Sequence, residues 1–467
     1  MHAISALVAL LAAAAAATGA EPTHVYRFDE SPVEARARRA GVAIVSDPAP
    51  FGGGGCLAVT PRPGKPARVV LDVPEGVNMA HQSALTFHLR CREGVEGARL
   101  RWSAVDGESR VIFQRRVLPD TSGEWDRIRL PLLLWRWGND FVGDWSEVRK
   151  LVLQAESDTG TFYLDELRIE PAPRRSGVPG PEWYLADLAF CRGSQQVLVT
   201  GGVMVATDAA ELSEDDMRDI ADRFIRIRTW VRRVFGDACR PIRPGRPTAL
   251  LIFSREADYR GFFESLGERW LATIRPPDSD GYTVQDISGS TYSEEHGADR
   301  PVWFHEGVHC MVTRELRLLT SVPEHSWLHE GLANYLQLCV YPESMDRRHY
   351  VRSFRAGVGE ETYFRPLSDV MTERASSGRY AQVAGLVAFL LEDHPDWVRA
   401  LATGLAEGTP VEDILEECGT DFDELQREWL AWGREHFSPD AEPPAGPGTH
   451  FALPREFAPA EAAIHGR

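Results

Sequence analysis

At 467 residues the chain is long enough for two or three domains, and its 43% hydrophobic and 26% charged content is that of a soluble globular protein. Its 51 basic against 69 acidic residues give a net charge of −18, which argues against nucleic acid or an anionic membrane as partner. The negative charge is spread without long single-sign blocks, so it serves solubility. The seven cysteines, Cys56, Cys91, Cys191, Cys239, Cys310, Cys339 and Cys418, are scattered, odd in number and without CxxC spacing. They form neither a disulfide scaffold nor a Cys-rich metal site, although one or two disulfides of undetermined pairing stay open. Cys310 and Cys339 read as small buried hydrophobes.

Residues 4–17, ISALVALLAAAAAA, are an apolar run ending in Thr18-Gly19-Ala20. The pattern reads as a signal peptide over 1–20, cleaved after Ala20. Its poor n-region leaves an Ala-rich cytosolic leader as the alternative. No other apolar stretch reaches the ~18 residues that span a bilayer, so a secreted or periplasmic protein without a membrane span is expected.

From Thr23 to about Ala172 short alternating runs are separated by turns: Ala67 to Val73, Ala84 to Arg90, Arg99 to Ala104, Arg110 to Val117, Trp125 to Leu130 and Gly160 to Ile169. This predicts an all-β sandwich over 23–172. The closing run resembles the last strand of a galactose-binding-like jelly roll, a fold similar to carbohydrate-binding modules. That resemblance is of fold, and it leaves two roles open for the sandwich, binding a glycan ligand or placing and supporting the domain that follows it. Trp102, Trp125, Trp135, Trp137 and Trp145 either offer a sugar platform or fill the core.

Residues 173–182, within PAPRRSGVPGPE, read as a linker, and the pattern then turns to α+β over 183–437. Gln195 to Val199 and Val203 to Thr207 suit a hairpin through Gly201-Gly202. Ser213 caps a helix running to about Val234, whose buried face carries Ile220, Phe224, Ile227, Val231 and Val234. Thr248 to Phe253 is an apolar strand, followed by a helix from Arg255 to about Leu266. Gly281 to Tyr292 reads as strand and turn, either a plain hairpin or an edge that aligns an extended peptide. Asp299 and Pro301 mark the next helix start, and Ser326 is a candidate cap for the one after Pro323. Later helices are expected at Tyr380 to Leu391, Trp397 to Glu407, Pro410 to Cys418 and Phe422 to Trp432. Residues 438–467, Pro- and Ala-rich, read as a disordered tail.

The stretch from Pro301 to Tyr335 holds the chemistry. His305-Glu306-Gly307-Val308-His309 is an HExxH signature, and histidines four apart share one face of a helix. Val302, Val312 and Leu316 continue that face, so the imidazoles are expected to be buried and to need partners. Twenty residues intervene between His309 and Glu330, which stands within Trp327-Leu328-His329-Glu330-Gly331-Leu332-Ala333-Asn334-Tyr335. Two histidines and a carboxylate leave a coordination position open, as a catalytic zinc requires. His329 points about 100° away from Glu330 around the helix, so His329 and His325 read as pocket or surface residues and His296 as a loop residue.

The two motifs resemble those of the gluzincin peptidases, and within them the exported peptidase MA-like group. The likeness extends over roughly Trp183 to Phe437 through TALLIFSREADYRGFF, Ser377-Gly378-Arg379-Tyr380-Ala381-Gln382 and the helix from Cys418 to Trp429. It implies an α+β gluzincin-like fold with a helical C-terminal part and Zn²⁺ held by His305, His309 and Glu330. Glu306 would be general base for a metal-activated water attacking a peptide bond. By the same resemblance Tyr380 is the candidate oxyanion donor, the alternative being a buried structural tyrosine. Asn334 is either a hydrogen-bond partner of a ligating histidine or an exposed helix amide.

The leading expectation is an exported zinc metallopeptidase acting on a peptide or protein substrate. A non-catalytic glycan- or wall-binding protein on the same scaffold is the alternative. A zinc hydrolase of non-peptide amides stays open.

Overall fold

The computed structural model describes residues 24–26, 28, 41–45, 55–92, 98–138, 143–157, 160–172, 174–175, 178–179, 182–190, 195–240, 247–270, 272, 274, 276, 279–293, 297, 300–342, 344–360 and 363–437. The expected leader over 1–20, Cys191, His296, Asp299 and the tail over 438–467 lie outside these residues. Two compact units emerge, residues 1–188 with 263–275, and residues 189–262 with 276–467.

The first unit is built on strands β1 (His24–Tyr26), β2 (Val42–Val45), β3 (Cys56–Val59), β4 (Arg68–Asp72), β5 (Gln82–Cys91), β6 (Leu100–Val105), β7 (Val111–Val117), β8 (Asp126–Pro131), β9 (Arg136–Trp137), β10 (Lys150–Ala155) and β11 (Phe162–Pro171). They form two antiparallel sheets of order β2-β3-β11-β5-β8, with β1 beside β11, and β4-β10-β6-β7-β9. Alternation decides which face is inside. On β5, Leu85, Phe87 and Leu89 point inward, and Phe87 of one sheet meets Trp102 of the other, ring centroids 5.4 Å apart. The sheets therefore pack as a sandwich.

Phe113 stacks on Trp145 at 4.1 Å, and Trp135 meets Trp145 edge-on at 5.4 Å. Trp102, Trp135, Trp137 and Trp145 are all buried, which corrects the sugar-platform reading for these four. Burying four indoles removes far more apolar surface from water than stacking on a solvated sugar would. Only Trp125 of the five keeps partial exposure, with the Arg90 guanidinium 5.2 Å from its ring and 4.6 Å from that of Tyr163.

In the connecting stretch β12 (Arg174–Arg175) pairs with β13 (Val178–Pro179), and helix α1 (Glu182–Ala189) follows.

The second unit has one sheet of order β14-β15-β16-β18-β17, from β14 (Gln196–Thr200), β15 (Val203–Thr207), β16 (Thr248–Phe253), β17 (Gly281–Val284) and β18 (Ile287–Thr291). β15, β16 and β18 are mutually parallel, while β14 and β17 run antiparallel at the two ends of the ladder. Gly201 and Gly202 take φ of 52° and 76°, the doubly left-handed pair a two-residue hairpin demands. Helix α2 (Glu214–Phe235) starts at a capping box in which Ser213 and Asp216 bond reciprocally. Helix α3 (Glu256–Trp270) follows β16, and from Phe263 on it belongs to the first unit, within which the Trp270 indole donates to Leu134 O at 2.7 Å.

Helices α4 (Val302–Leu316), α5 (Pro323–Val340), α6 (Met345–Gly359), α7 (Leu367–Thr372), α8 (Tyr380–Asp393), α9 (Pro395–Glu407), α10 (Val411–Glu417) and α11 (Phe422–Phe437) complete the unit. The start of α5 differs from expectation. Pro323 is itself the first helical residue, as its fixed φ favours, with Val322 before it. Ser326 lies inside the helix and accepts from the Ala375 backbone N–H at 3.0 Å. Among the described residues no helix is long and apolar enough to cross a membrane.

Candidate metal centre

The site is made by α4 and α5, both buried nearly all round. α4 lies against β16, β17 and β18, and α5 against α4 and α8. Each motif carries its glycine at the point of closest approach. A Cβ on Gly307 would sit 2.5 Å from Leu250 Cδ2 and 2.8 Å from Phe224 Cε2, and one on Gly331 2.5 Å from Val387 Cγ2 and 2.9 Å from Val383 O. Any larger residue would push the helices off the sheet and off each other.

The structure brings His305, His309 and Glu330 into one buried group. His305 Nε2 and His309 Nε2 are 3.1 Å apart, Glu330 Oε2 is 3.3 Å from the first, and Glu330 Oε1 is 3.6 Å from the second. A tetrahedral ion with bonds of ~2.0–2.2 Å spaces its donors about 3.3–3.6 Å apart. Each carboxylate oxygen meets one ring at such a distance, and one donor atom from each residue lies within 4.8 Å of the others. Glu330 Oε2 is buried with no hydrogen-bond partner of acceptable geometry. Two facing imidazole nitrogens and a carboxylate with one oxygen outside hydrogen-bonding geometry form a donor set that can hold a metal ion.

Charge within the cluster is arranged to match. Burial opposes ionisation of Glu330, but His309 and His305 beside it hold the carboxyl well below the usual range. Burial, set only partly against Glu330 and reinforced by His305, pushes His309 down to about 3. Burial also works against protonation of His305, yet the Glu330 carboxylate beside it outweighs that and the value rises. At neutral pH the pair of rings thus carries at most one shared proton.

Glu306 stands one residue along α4, and burial raises its carboxyl to about 7 against the opposing pull of His305 and Thr283. Thr283 Oγ1, on β17, donates to Glu306 Oε2 at 2.6 Å. β17 passes so close that a Cβ on Gly281 would meet Glu306 Cγ at 2.7 Å and Oε1 at 2.9 Å. Thr283 was not singled out in the sequence, and no local signal could have found it, because its contact spans 23 residues.

Tyr380 opens α8 with its ring 5.9 Å from that of His305. Burial, then Glu330 and Glu306, drive its phenol far above the ordinary value, so it stays a neutral donor. Tyr350, on α6, also feels Glu330 after burial and Asp346, and its value rises likewise. It too went unnoticed, because α6 itself was not expected.

Asn334 is wholly buried, which corrects the exposed-amide reading, and its Nδ2 donates to Glu330 O at 2.7 Å. His325 and His329 are buried as well, which corrects the surface reading. His325 Nδ1 accepts from Leu319 N at 2.8 Å and Nε2 bonds Leu405 O at 3.0 Å. His329 Nε2 bonds Leu318 O at 2.9 Å. The turn between α4 and α5 consumes these rings because its carbonyl and amide groups are cut off from water. Cys310 and Cys339 are buried, as small hydrophobes would be.

No family model matches the chain, and no curated protein does. Solved structures similar to about a third of it include a family 11 carbohydrate-binding module from Clostridium thermocellum in complex with a β-1,3-1,4-mixed-linked tetrasaccharide. That match has 14% identity, 33% of this chain, 87% of that one and a TM-score of 0.24. The K1 cleaved adhesin domain of Lys-gingipain from Porphyromonas gingivalis is similar at 13% identity, 33% and 100% coverage and TM-score 0.23. A xylan-binding domain of carbohydrate-binding family 22 is similar at 17% identity, 32% and 96% coverage and TM-score 0.23. These neighbours have carbohydrate-binding-module-like β-sandwich folds, and at such identities the likeness concerns fold alone.

Proposed function

We propose that the second unit is a zinc-dependent hydrolase of peptide bonds and that the protein works outside the cytoplasm. The observation that carries this reading is the convergence of His305 Nε2, His309 Nε2 and Glu330 within 3.1–3.6 Å, with the Glu306 carboxylate on the next residue of the same helix. Neutral nitrogens and a single carboxylate suit zinc better than a hard, oxygen-seeking cation. Zinc, when bound, supplies Lewis-acid polarisation and a nucleophile available near neutral pH.

The chain's own groups do the rest. Glu306, near 7, accepts a proton from the attacking water and returns it to the leaving amine, a transfer its value makes facile in both directions. The Thr283 hydroxyl holds Oε2 and so fixes the carboxylate against rotation. The neutral Tyr380 phenol donates to the developing oxyanion. An extended peptide lies along the free side of β17, gaining main-chain hydrogen bonds beside Glu306 without a side-chain requirement.

The test is zinc content and cleavage of a broad peptide library by wild type and Glu306→Gln. One zinc per chain in both proteins, with kcat/KM lowered about 10²–10⁴-fold in the variant, is expected. Zinc without cleavage of any peptide by the wild type would end the peptidase reading.

A second reading, glycan binding by the sandwich with the metal unit as scaffold, is favoured by the Trp125–Arg90–Tyr163 group, whose rings are partly exposed. Trp125→Ala separates the two, since it should abolish any retention on a glycan array and leave peptide cleavage unchanged.

A further inference from the structure

The two histidines of α5 that are not in the metal group differ in one respect. His325 uses both ring nitrogens on the backbone, accepting at Nδ1 from Leu319 N and bonding Leu405 O through Nε2. His329, one turn later and adjacent to Glu330, uses only Nε2, against Leu318 O at 2.9 Å. A carbonyl oxygen can only accept, so Nε2 carries the proton and Nδ1 of the neutral ring is left as a lone pair. That Nδ1 is buried and without a partner.

Nδ1 of His309 is also buried and without a partner, and the two rings are neighbours, centroids 5.5 Å apart with planes inclined by 50°. The requirements of the two atoms are opposite. With its Nε2 facing an ion, His309 must hold its ring proton on Nδ1, and that proton needs an acceptor. A buried donor without an acceptor thus adjoins a buried acceptor without a donor.

We infer that His329 is the positioning residue of the metal centre. With the ion bound, a turn of the ring brings Nδ1–H of His309 to donate to Nδ1 of His329, whose Nε2–H donates to Leu318 O. The backbone just beyond α4 thereby sets the tautomer and the ring plane of a ligand on α4, through a residue of α5. His329 touches neither substrate nor ion. The inference rests on the metal-site reading given above. Asn334 Oδ1 and Thr313 Oγ1 are also buried and unpartnered on the same two helices, and the test must separate them from His329.

Zinc dissociation constants of the full-length protein, stripped with a chelator and titrated with zinc against a chromogenic competitor, read the effect without any substrate. His329→Phe should weaken zinc about 10–100-fold, and His329→Gln, whose amide oxygen can accept, should recover most of that loss. Asn334→Leu and Thr313→Val should each change the constant by less than about threefold on the same scale. Zinc held by His329→Phe as tightly as by wild type, or lost more severely in Asn334→Leu or Thr313→Val, would overturn the assignment. Should the Phe variant fail to fold, nitrogen-15 histidine spectra of the zinc-loaded wild type decide the matter. A scalar coupling across the hydrogen bond between the two Nδ1 atoms is expected, and its absence in the zinc-bound protein refutes the link. Failure of the wild type to bind zinc at all removes the metal reading itself, a result distinct from a normal wild type with unaffected His329 variants.

Discussion

The two units place their buried polar groups differently. In the sandwich, the buried carboxylate of Asp106 is saturated by the Glu108 and Arg110 N–H groups at 2.9 and 2.8 Å and by the Arg110 guanidinium at 2.7 Å. That unit also buries Thr86, His88, Ser103 and Asp165, but among the described residues none of these joins a group of side chains that could hold a metal ion. In the second unit, α4 and α5 bury three histidines in contact with one another and two glutamates, yet Glu330 Oε2 and two Nδ1 atoms are left without partners. The Asp106 charge is spent within its own turn, whereas buried polar atoms left without hydrogen bonds side by side are tolerated where something else is to be held. The contrast separates scaffold from site without reference to any relative.

Several substitutions would break or sharpen that contrast. Glu330→Ala should reduce zinc affinity by more than about 100-fold, beyond what the loss of an outer partner costs. In the metal-free protein it should cost stability at neutral pH, though less than a core truncation does, because His309 and His305 hold the native carboxyl well below its usual range. Calorimetric zinc titration and urea unfolding of the stripped protein measure both. A marked loss of stability with zinc binding intact would make Glu330 structural and collapse the distinction. Trp102→Ala in the sandwich should do the reverse, costing roughly 3–5 kcal/mol in urea unfolding by opening a cavity under Phe87.

A smaller effect is expected from acid. Burial, only partly offset by the bond to Leu318 O, lowers His329 to about 4, and burial likewise lowers His325, from an ordinary value of 6.5. Both rings are neutral in the fold and take a proton more readily once unfolded. Below 6.5 the unfolded chain therefore binds more protons than the native one, and stability falls with pH until about 4, where His329 titrates in place. Thermal melts of the metal-free protein at stepped pH should show this loss, and it should shrink in His325→Gln. Because Glu306 and His305 are shifted the other way, the comparison between proteins decides: a profile unchanged in His325→Gln would mean that the His325 ring is already solvated.

What could be read beforehand follows the range of the interactions. Ser213 with its acidic first turn and the Gly201-Gly202 turn are local signals, and each appears as expected. α6 carries only Phe354, Gly357 and Val358 in the core, too thin an apolar stripe to stand out, and α7 is six residues long. Five similar tryptophans looked alike in the chain. Which four went inside depended on strand pairing, and Trp125, one residue before β8, stayed at the surface.

By itself the chain determined that His305 and His309 share a face, because four residues make about one helical turn, and it marked Glu330 as their companion through a second motif. Only the tertiary structure decided that the three donors come within 3.1–3.6 Å, that Thr283 on an end strand grips Glu306, and that His329 turns inward beside His309. Local spacing is fixed by the geometry of one helix. Convergence between helices and a strand is fixed by which surfaces can be buried together, and that information is spread over Gly307, Gly331 and the whole apolar face beneath them.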